Sequence, residues 1–168
     1  MVNTQSSPVD IRQPQANDIV GDPVYVCGVG TGQHGEITIR LIDGQGTEIF
    51  HDFYRVSQTG AQANFCVSVP LSSMPATAQG TLEISTGTGP DGGPDAVIPV
   101  IFGKMLIDSY GGFWAHTVEE GETLSAIAEQ HYSDPGQYHR IVKANPEKLD
   151  QPDHIAPGQM LRVPVGSV

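Results

Sequence analysis

Residues 114–164 read WAHTVEEGETLSAIAEQHYSDPGQYHRIVKANPEKLDQPDHIAPGQMLRVP. Ala115, Thr117 and Val118 make a short strand pattern that meets a turn at Glu119-Glu120-Gly121-Glu122. Leu124, Ile127, Ala128 and His131 then recur at i, i+3, i+4 and i+7, the spacing of one helix face. Thr123 is placed to cap that helix, and the glutamates before it suit the positive end of its dipole. Asp134-Pro135-Gly136-Gln137 has the form of a second helix start, with Asp at the N-cap, Pro at N1 and Gln at N3. Its buried face is expected at Tyr138, Ile141 and Val142. Asn145 ends it, because the residue before a proline is pushed out of the helical region. Pro157-Gly158-Gln159 turns the chain into a closing strand, Met160-Leu161-Arg162-Val163. The expected order is strand, helix, helix, strand.

Upstream of this stretch the period changes. Val9 to Gln13 reads as an edge strand, and Val24 to Gly30 puts Val24 and Val26 opposite Tyr25 and Cys27. Glu36 to Asp43 alternates Ile37, Ile39 and Leu41 against Thr38, Arg40 and Ile42, the mark of a half-buried strand. Asp43-Gly44-Gln45-Gly46 makes a tight hairpin into Glu48 to Val56. Asn64 to Val69, Gly80 to Thr86 and Asp95 to Phe102 complete seven strands, with a glycine-rich loop at 87–94. Short strands with turn signals about every ten residues predict a two-sheet sandwich. The apolar Met105, Leu106 and Ile107 in the connection predict that the two units touch.

Composition narrows the partners. The 168 residues carry 19 acids against 8 bases, a net charge of −11. Ten acids and four bases precede Leu106, and nine acids and four bases follow, so neither half offers a basic face. Nucleic acid and anionic membrane are therefore poor partners. The longest apolar stretch, Ala96 to Phe102, falls far short of the roughly 20 residues a membrane span needs. The N-terminus MVNTQSSPVDIRQ has neither basic region nor apolar core. The expected compartment is the cytoplasm if Met1 is the native start, or the cell envelope if a leader was removed.

The C-terminal motif resembles a LysM module. The matching positions are Val118, Gly121-Glu122-Thr123-Leu124, Ile127-Ala128, Asn145-Pro146, Ile155-Ala156-Pro157-Gly158-Gln159-Met160-Leu161 and Val163-Pro164. Its one visible departure is Glu122 where Asp is commoner, which keeps the charge. The segment from Val24 to Phe102 is similar to the immunoglobulin-like domain of bacterial spore-germination proteins, through its LxDxxG hairpin, its FxVxVPL strand and its GTLEI strand. The implied architecture is an all-β, immunoglobulin-like sandwich followed by a small α+β LysM domain of βααβ order. The chain then divides into a flexible start at 1–8, the sandwich at 9–104, a linker at 105–112 and the LysM domain at 113–168.

LysM modules bind N-acetylglucosamine polymers, peptidoglycan or chitin, in a shallow groove between two loops. The resemblance implies a groove formed by Glu120, Gly121, Glu122, Thr123 and Leu124 with Asp153, His154, Ile155, Ala156 and Pro157. Main-chain amides and carbonyls beside Gly121 would pair with acetamido groups, and Leu124 or Ile155 would receive the acetyl methyl. Gly121, Thr123, Leu124 and Ile155 also serve the fold itself. LysM modules occur as well in phage-tail-like assemblies, so a protein–protein adaptor in a bacterial assembly is an alternative. The LysM portion is further similar to that of cytoplasmic potassium-binding proteins that join it to a BON domain, which leaves a small-ion or stress-linked binder as a third reading. No counterpart of that BON domain is recognisable here.

Cys27 and Cys66 sit opposite the core valines. In an immunoglobulin-like topology their strands are neighbours, so they form either a cross-strand disulfide or two unpaired thiols. A disulfide would imply an oxidising compartment. The histidines are not spaced with acids or cysteines as a zinc set, and Asp91 and Asp95 lack the alternating oxygens of a calcium loop. No metal or other cofactor is expected. No serine sits in a nucleophile elbow, neither cysteine has a positioned histidine, and Glu119, Glu120 and Glu122 share one turn rather than facing each other across a cleft. The expectation is a binding protein, not an enzyme.

Overall fold

The computed structural model describes residues 8–87, 92–149 and 154–166. The N-terminal unit contains β1 (Val9–Gln13), β2 (Asp18–Val20), β3 (Val24–Gly30), β4 (Glu36–Asp43), β5 (Glu48–Arg55), β6 (Ala63–Val69), β7 (Gln79–Ser85) and β8 (Ala96–Phe102). They form two sheets, ordered β1-β3-β6 and β2-β8-β7-β4-β5. Alternation decides which side chains go inward. Ile37, Ile39 and Leu41 of β4 and Leu82 and Ile84 of β7 enter one core with Val24 and Val26 of β3 and Val69 of β6. Each such side chain contributes about 1.5–3 kcal/mol on burial, so this shared layer is what holds the sheets together.

The β4–β5 hairpin is tied from within. Asp43 accepts hydrogen bonds from the backbone N–H groups of Gln45 and Thr47, both at 2.9 Å, and from that of Ala76 at 3.0 Å. Only Gly46 of the turn needs a positive φ, at 84°. β2 is the strand that the periodicity did not predict. It is three residues long and pairs in parallel with β8, too short to carry an alternation. The glycine-rich loop expected at 87–94 lies partly outside the described residues, Asp91 included.

Cys27 and Cys66 face each other in the β3–β6 register and are joined by a disulfide. The bridge lies on the side of the sheet away from the core valines. The outward position follows from strand alternation, and the pairing from β6 lying beside β3.

The C-terminal unit consists of β9 (Tyr110–Thr117), α1 (Leu124–Tyr132), α2 (Tyr138–Ala144) and β10 (Met160–Gly166), with β9 and β10 antiparallel. β9 starts inside the stretch expected as linker. Gly111 and Gly112 hide the strand pattern, yet Gly112 pairs with Val165 and Tyr110 with Gly166. Thr123 caps α1, its hydroxyl accepting from the Ala126 N–H at 3.1 Å. Asp134 likewise caps, but what it starts is a 3-10 turn over Pro135–Gln137. Ile141 and Ala144 are the buried residues of α2 and Val142 packs partly against the same core, whereas Tyr138, at the first position of the helix, is 41% exposed.

Asn145, which ends α2, is fully buried. Its amide donates to the Ile141 carbonyl at 2.7 Å and the Arg162 carbonyl at 2.8 Å, and its oxygen accepts from the Arg162 N–H at 2.8 Å. One side chain thus stops the helix and fastens β10 to it. The two units meet where Ile101 and Leu106 pack with Ala144, flanked by Ile19 and Ala78. Arg162 adds a polar link, donating to the Asn17 carbonyl at 2.6 Å.

Candidate functional site

Two loops flank the β9–β10 pair at one end. Val118 donates to the Gln159 carbonyl at 2.9 Å, and Gly158 donates to the Val118 carbonyl at 2.8 Å. These bonds set the base of the first loop (119–123) beside the base of the second (154–158). The first loop is pinched shut at its neck: Glu119 N–H donates to the Glu122 carboxylate at 2.6 Å, and Glu122 N–H to the Glu119 carbonyl at 3.2 Å. Gly121 between them has φ +81°, and a Cβ there would meet nothing within 4 Å. In the second loop Gln159 spans the turn, accepting from the Ala156 N–H at 3.1 Å. Gly158 is open in the same way, at φ +85°.

The residues expected to line the groove are not equivalent. Glu120, Gly121, His154, Ala156 and Pro157 are exposed at the loop surfaces. Thr123 is committed to capping α1. Leu124 is only 5% exposed and packs in the core with Ile127 and Leu161. Ile155 is half-buried against that core and keeps part of its side chain free. Asp153 lies outside the described residues.

Glu122 belongs to a cluster that its spacing in sequence conceals. Its carboxylate lies 3.0 Å from Nε2 of His116, and Nδ1 of His116 lies 3.4 Å from Nε2 of His131. The Glu119 N–H, with help from His116, holds the Glu122 carboxyl below the ordinary range. Burial, together with the neighbouring His116, pushes His131 down. The one signal that could have found this trio was the alternation of β9, which turns His116 toward α1. Among the described residues no group of three or more His, Cys, Asp or Glu is placed to hold a metal ion.

Among the described residues of the two loops, Glu119, Glu120, Gly121, His154, Ala156, Pro157 and Gly158 are exposed and Ile155 is half-buried. Such a surface forms hydrogen bonds with amide and hydroxyl groups, and the open glycines let a ligand approach the main chain closely. No helix of the described residues is long and apolar enough to cross a membrane.

Residues 116–164 match the LysM domain family, a segment that contains both loops. Residues 8–93, about half of the chain, match the family of the immunoglobulin-like domain of bacterial spore germination. Among curated proteins, the potassium binding protein Kbp of Escherichia coli O6:H1 is 49% identical over 49 residues, 29% of this chain and 33% of Kbp. An uncharacterized protein of Deinococcus radiodurans is 42% identical over 57 residues, 34% of this chain and 22% of that protein. The chain thus spans a third or less of either relative. It belongs to the family of the immunoglobulin-like domain of bacterial spore germination and carries a LysM domain behind it.

Proposed function

We propose that this chain is a non-catalytic binding protein whose LysM domain holds N-acetylglucosamine-containing glycan, such as peptidoglycan, between the 119–124 and 154–157 loops. The domain division follows the same reading: an immunoglobulin-like sandwich over 9–104, a short connection, and a βααβ LysM domain to the C-terminus. The observation that carries the proposal is the pair of loops tied at Val118, each presenting an open glycine with positive φ. Glu120, Gly121 and Glu122 lend mainly their peptide groups, Thr123 and Leu124 hold the first loop in shape, and Ile155 takes the acetyl methyl. His154, Ala156 and Pro157, with Asp153, form the opposite lip. Both families matched by the chain are binding domains, which supports a role without turnover.

Sedimentation with insoluble peptidoglycan tests this. The chain is expected to enrich with the polymer, and Gly121→Trp, which fills open space, is expected to lose that enrichment while keeping its fold. Failure of the unmodified chain to sediment would remove the glycan reading and favour an adaptor role among proteins of a bacterial assembly. A second reading, potassium binding, is supported by the identity with Kbp alone. Calorimetric titration with potassium chloride separates it from the first, since a glycan module gives no saturable heat with the ion.

A further inference from the structure

The two-stranded sheet of the LysM domain has one sealed edge and one open edge. The outer carbonyls of β10 are taken: Met160 accepts from the Lys148 ammonium at 2.9 Å, Arg162 from the Asn145 amide at 2.8 Å, and Pro164 from the Tyr132 hydroxyl at 2.8 Å. The Arg162 N–H goes to Asn145 as well, and Pro164 has none to offer. Because Arg162 turns both its groups outward, Ala115 opposite it on β9 turns its own N–H and C=O away from β10. Phe113 and Thr117, two residues to either side, do the same. Among the described residues no hydrogen bond reaches these N–H or C=O groups. The strand also stands clear of its surroundings. Phe113 and Trp114, on its opposite faces, are 46% and 63% exposed, and Ala115 and Thr117 are exposed beside them. Edges of this kind are usually blunted by lysine, proline or a bulge. From Gly112 to Thr117 the strand holds no Lys, Arg, Asp, Glu or Pro, and its register shift lies before Gly112, beside Tyr110.

We propose that the open edge of β9 is a docking site for an extended segment of a partner protein, which adds as a third strand and carries Lys or Arg at its ends. The free main-chain groups of Phe113, Ala115 and Thr117 pair with the incoming backbone. Its alternate side chains lie against Trp114 on one face and Phe113 on the other. The charge of the partner follows from what flanks the edge. Asp108 stands two residues before β9 and Glu119 two residues after it, both exposed, with Glu120 next. The chain as a whole carries −11. A second copy running antiparallel brings Glu119 toward the other chain's Asp108 at both ends, and a parallel one sets each acid beside its twin. Like charges face each other either way, whereas basic ends on a partner strand meet opposite charge. The site is separate from the loop groove and does not depend on it.

The test is a titration of the whole nitrogen-labelled chain with the peptide acetyl-KKVTVTVKK-amide, read by amide shifts and amide hydrogen exchange. Phe113, Ala115 and Thr117 are expected to shift, saturate and exchange about tenfold more slowly. Trp114 and His116, whose N–H groups face β10, should change little, and Gly121 in the loop groove should stay still. The acidic analogue acetyl-EEVTVTVEE-amide is expected to bind about tenfold more weakly. Ala115→Pro, which removes an outward N–H, should abolish the response at Phe113 and Thr117. Thr117→Lys, at an exposed side chain, makes the same test without touching the backbone and should weaken the basic peptide about fivefold. Amides that ignore the basic peptide, answer the acidic one equally, lack the odd–even alternation, or respond unchanged in either variant would overturn the proposal. So would a shift at Gly121 in their place. Protection of the same amides that rises with protein concentration alone would also overturn it, by assigning the edge to a second copy.

Discussion

Gly32 in the sandwich unit and Gly121 in the LysM domain do opposite work, although open glycines of positive φ, such as Gly46 and Gly60, occur in the sandwich as well. In the sandwich unit Gly32 is packed solid: a Cβ there would collide with the Glu36 carbonyl oxygen, and its neighbours are backbone. In the LysM domain Gly121 and Gly158 face empty space and are glycine because of their positive φ. The first kind lets the chain approach itself. The second kind leaves room for something else to approach the chain. The same contrast runs through the fastenings. The N-terminal unit is held by a wide apolar layer and a disulfide, whereas the C-terminal unit relies on a small core and one buried asparagine.

The largest effect that would sharpen this contrast is reduction of the Cys27–Cys66 bridge, with a sequence separation of 39. In the chain-entropy account a loop of that length contributes about 4 kcal/mol, so the urea midpoint of the N-terminal unit should drop on adding a reductant. Asn145→Ala should destabilise the C-terminal unit by about 3 kcal/mol, because buried groups of Ile141 and Arg162 lose their partner. Thermal unfolding checks it. Gly32→Ala should cost about 3 kcal/mol through backbone collision, and Gly121→Ala only about 1 kcal/mol through left-handed strain. Equal costs for the two would break the comparison.

The smallest expected effect is on pH. His131 is lowered from its ordinary value of 6.5, so the unfolded chain takes up that proton first. Stability should therefore fall as pH drops below 6.5, until the folded-state value is passed. Glu122 is lowered from 4.5, so its contribution is present above 4.5 and is lost as pH falls through the folded value. A Tm-against-pH curve should show the C-terminal transition declining toward acid in both windows. His131→Gln should flatten the upper one.

What was readable in the sequence was whatever repeats locally. Ile37, Ile39 and Leu41 announce their strand by period two, and Leu124, Ile127 and Ala128 announce their helix by period 3.6. Caps at Thr123 and Asp134 were readable for the same reason, since both partners lie within three residues. The Asn145–Arg162 bonds join residues 17 apart in the chain, and no local pattern encodes them, whereas for the His116–Glu122–His131 cluster the β9 alternation turns His116 inward without naming its partners. Tyr138 was misplaced because it is the first residue of α2, where the helix face expected from Ile141 and Val142 has run past the edge of the core. Of the expected groove, the two loops and the exposed Gly121 were readable from the motif, but the burial of Leu124 was not separable from its use in binding.

The measurement that bears most directly on the central claim is a titration of the chain with a chitin tetramer, following backbone amides by heteronuclear NMR. Saturable shifts confined to 119–124 and 154–158 in the LysM loops, with Gly121 and Gly158 among the largest, are the predicted result. Amides of both loops that remain unmoved while the polymer binds elsewhere, or not at all, would contradict it.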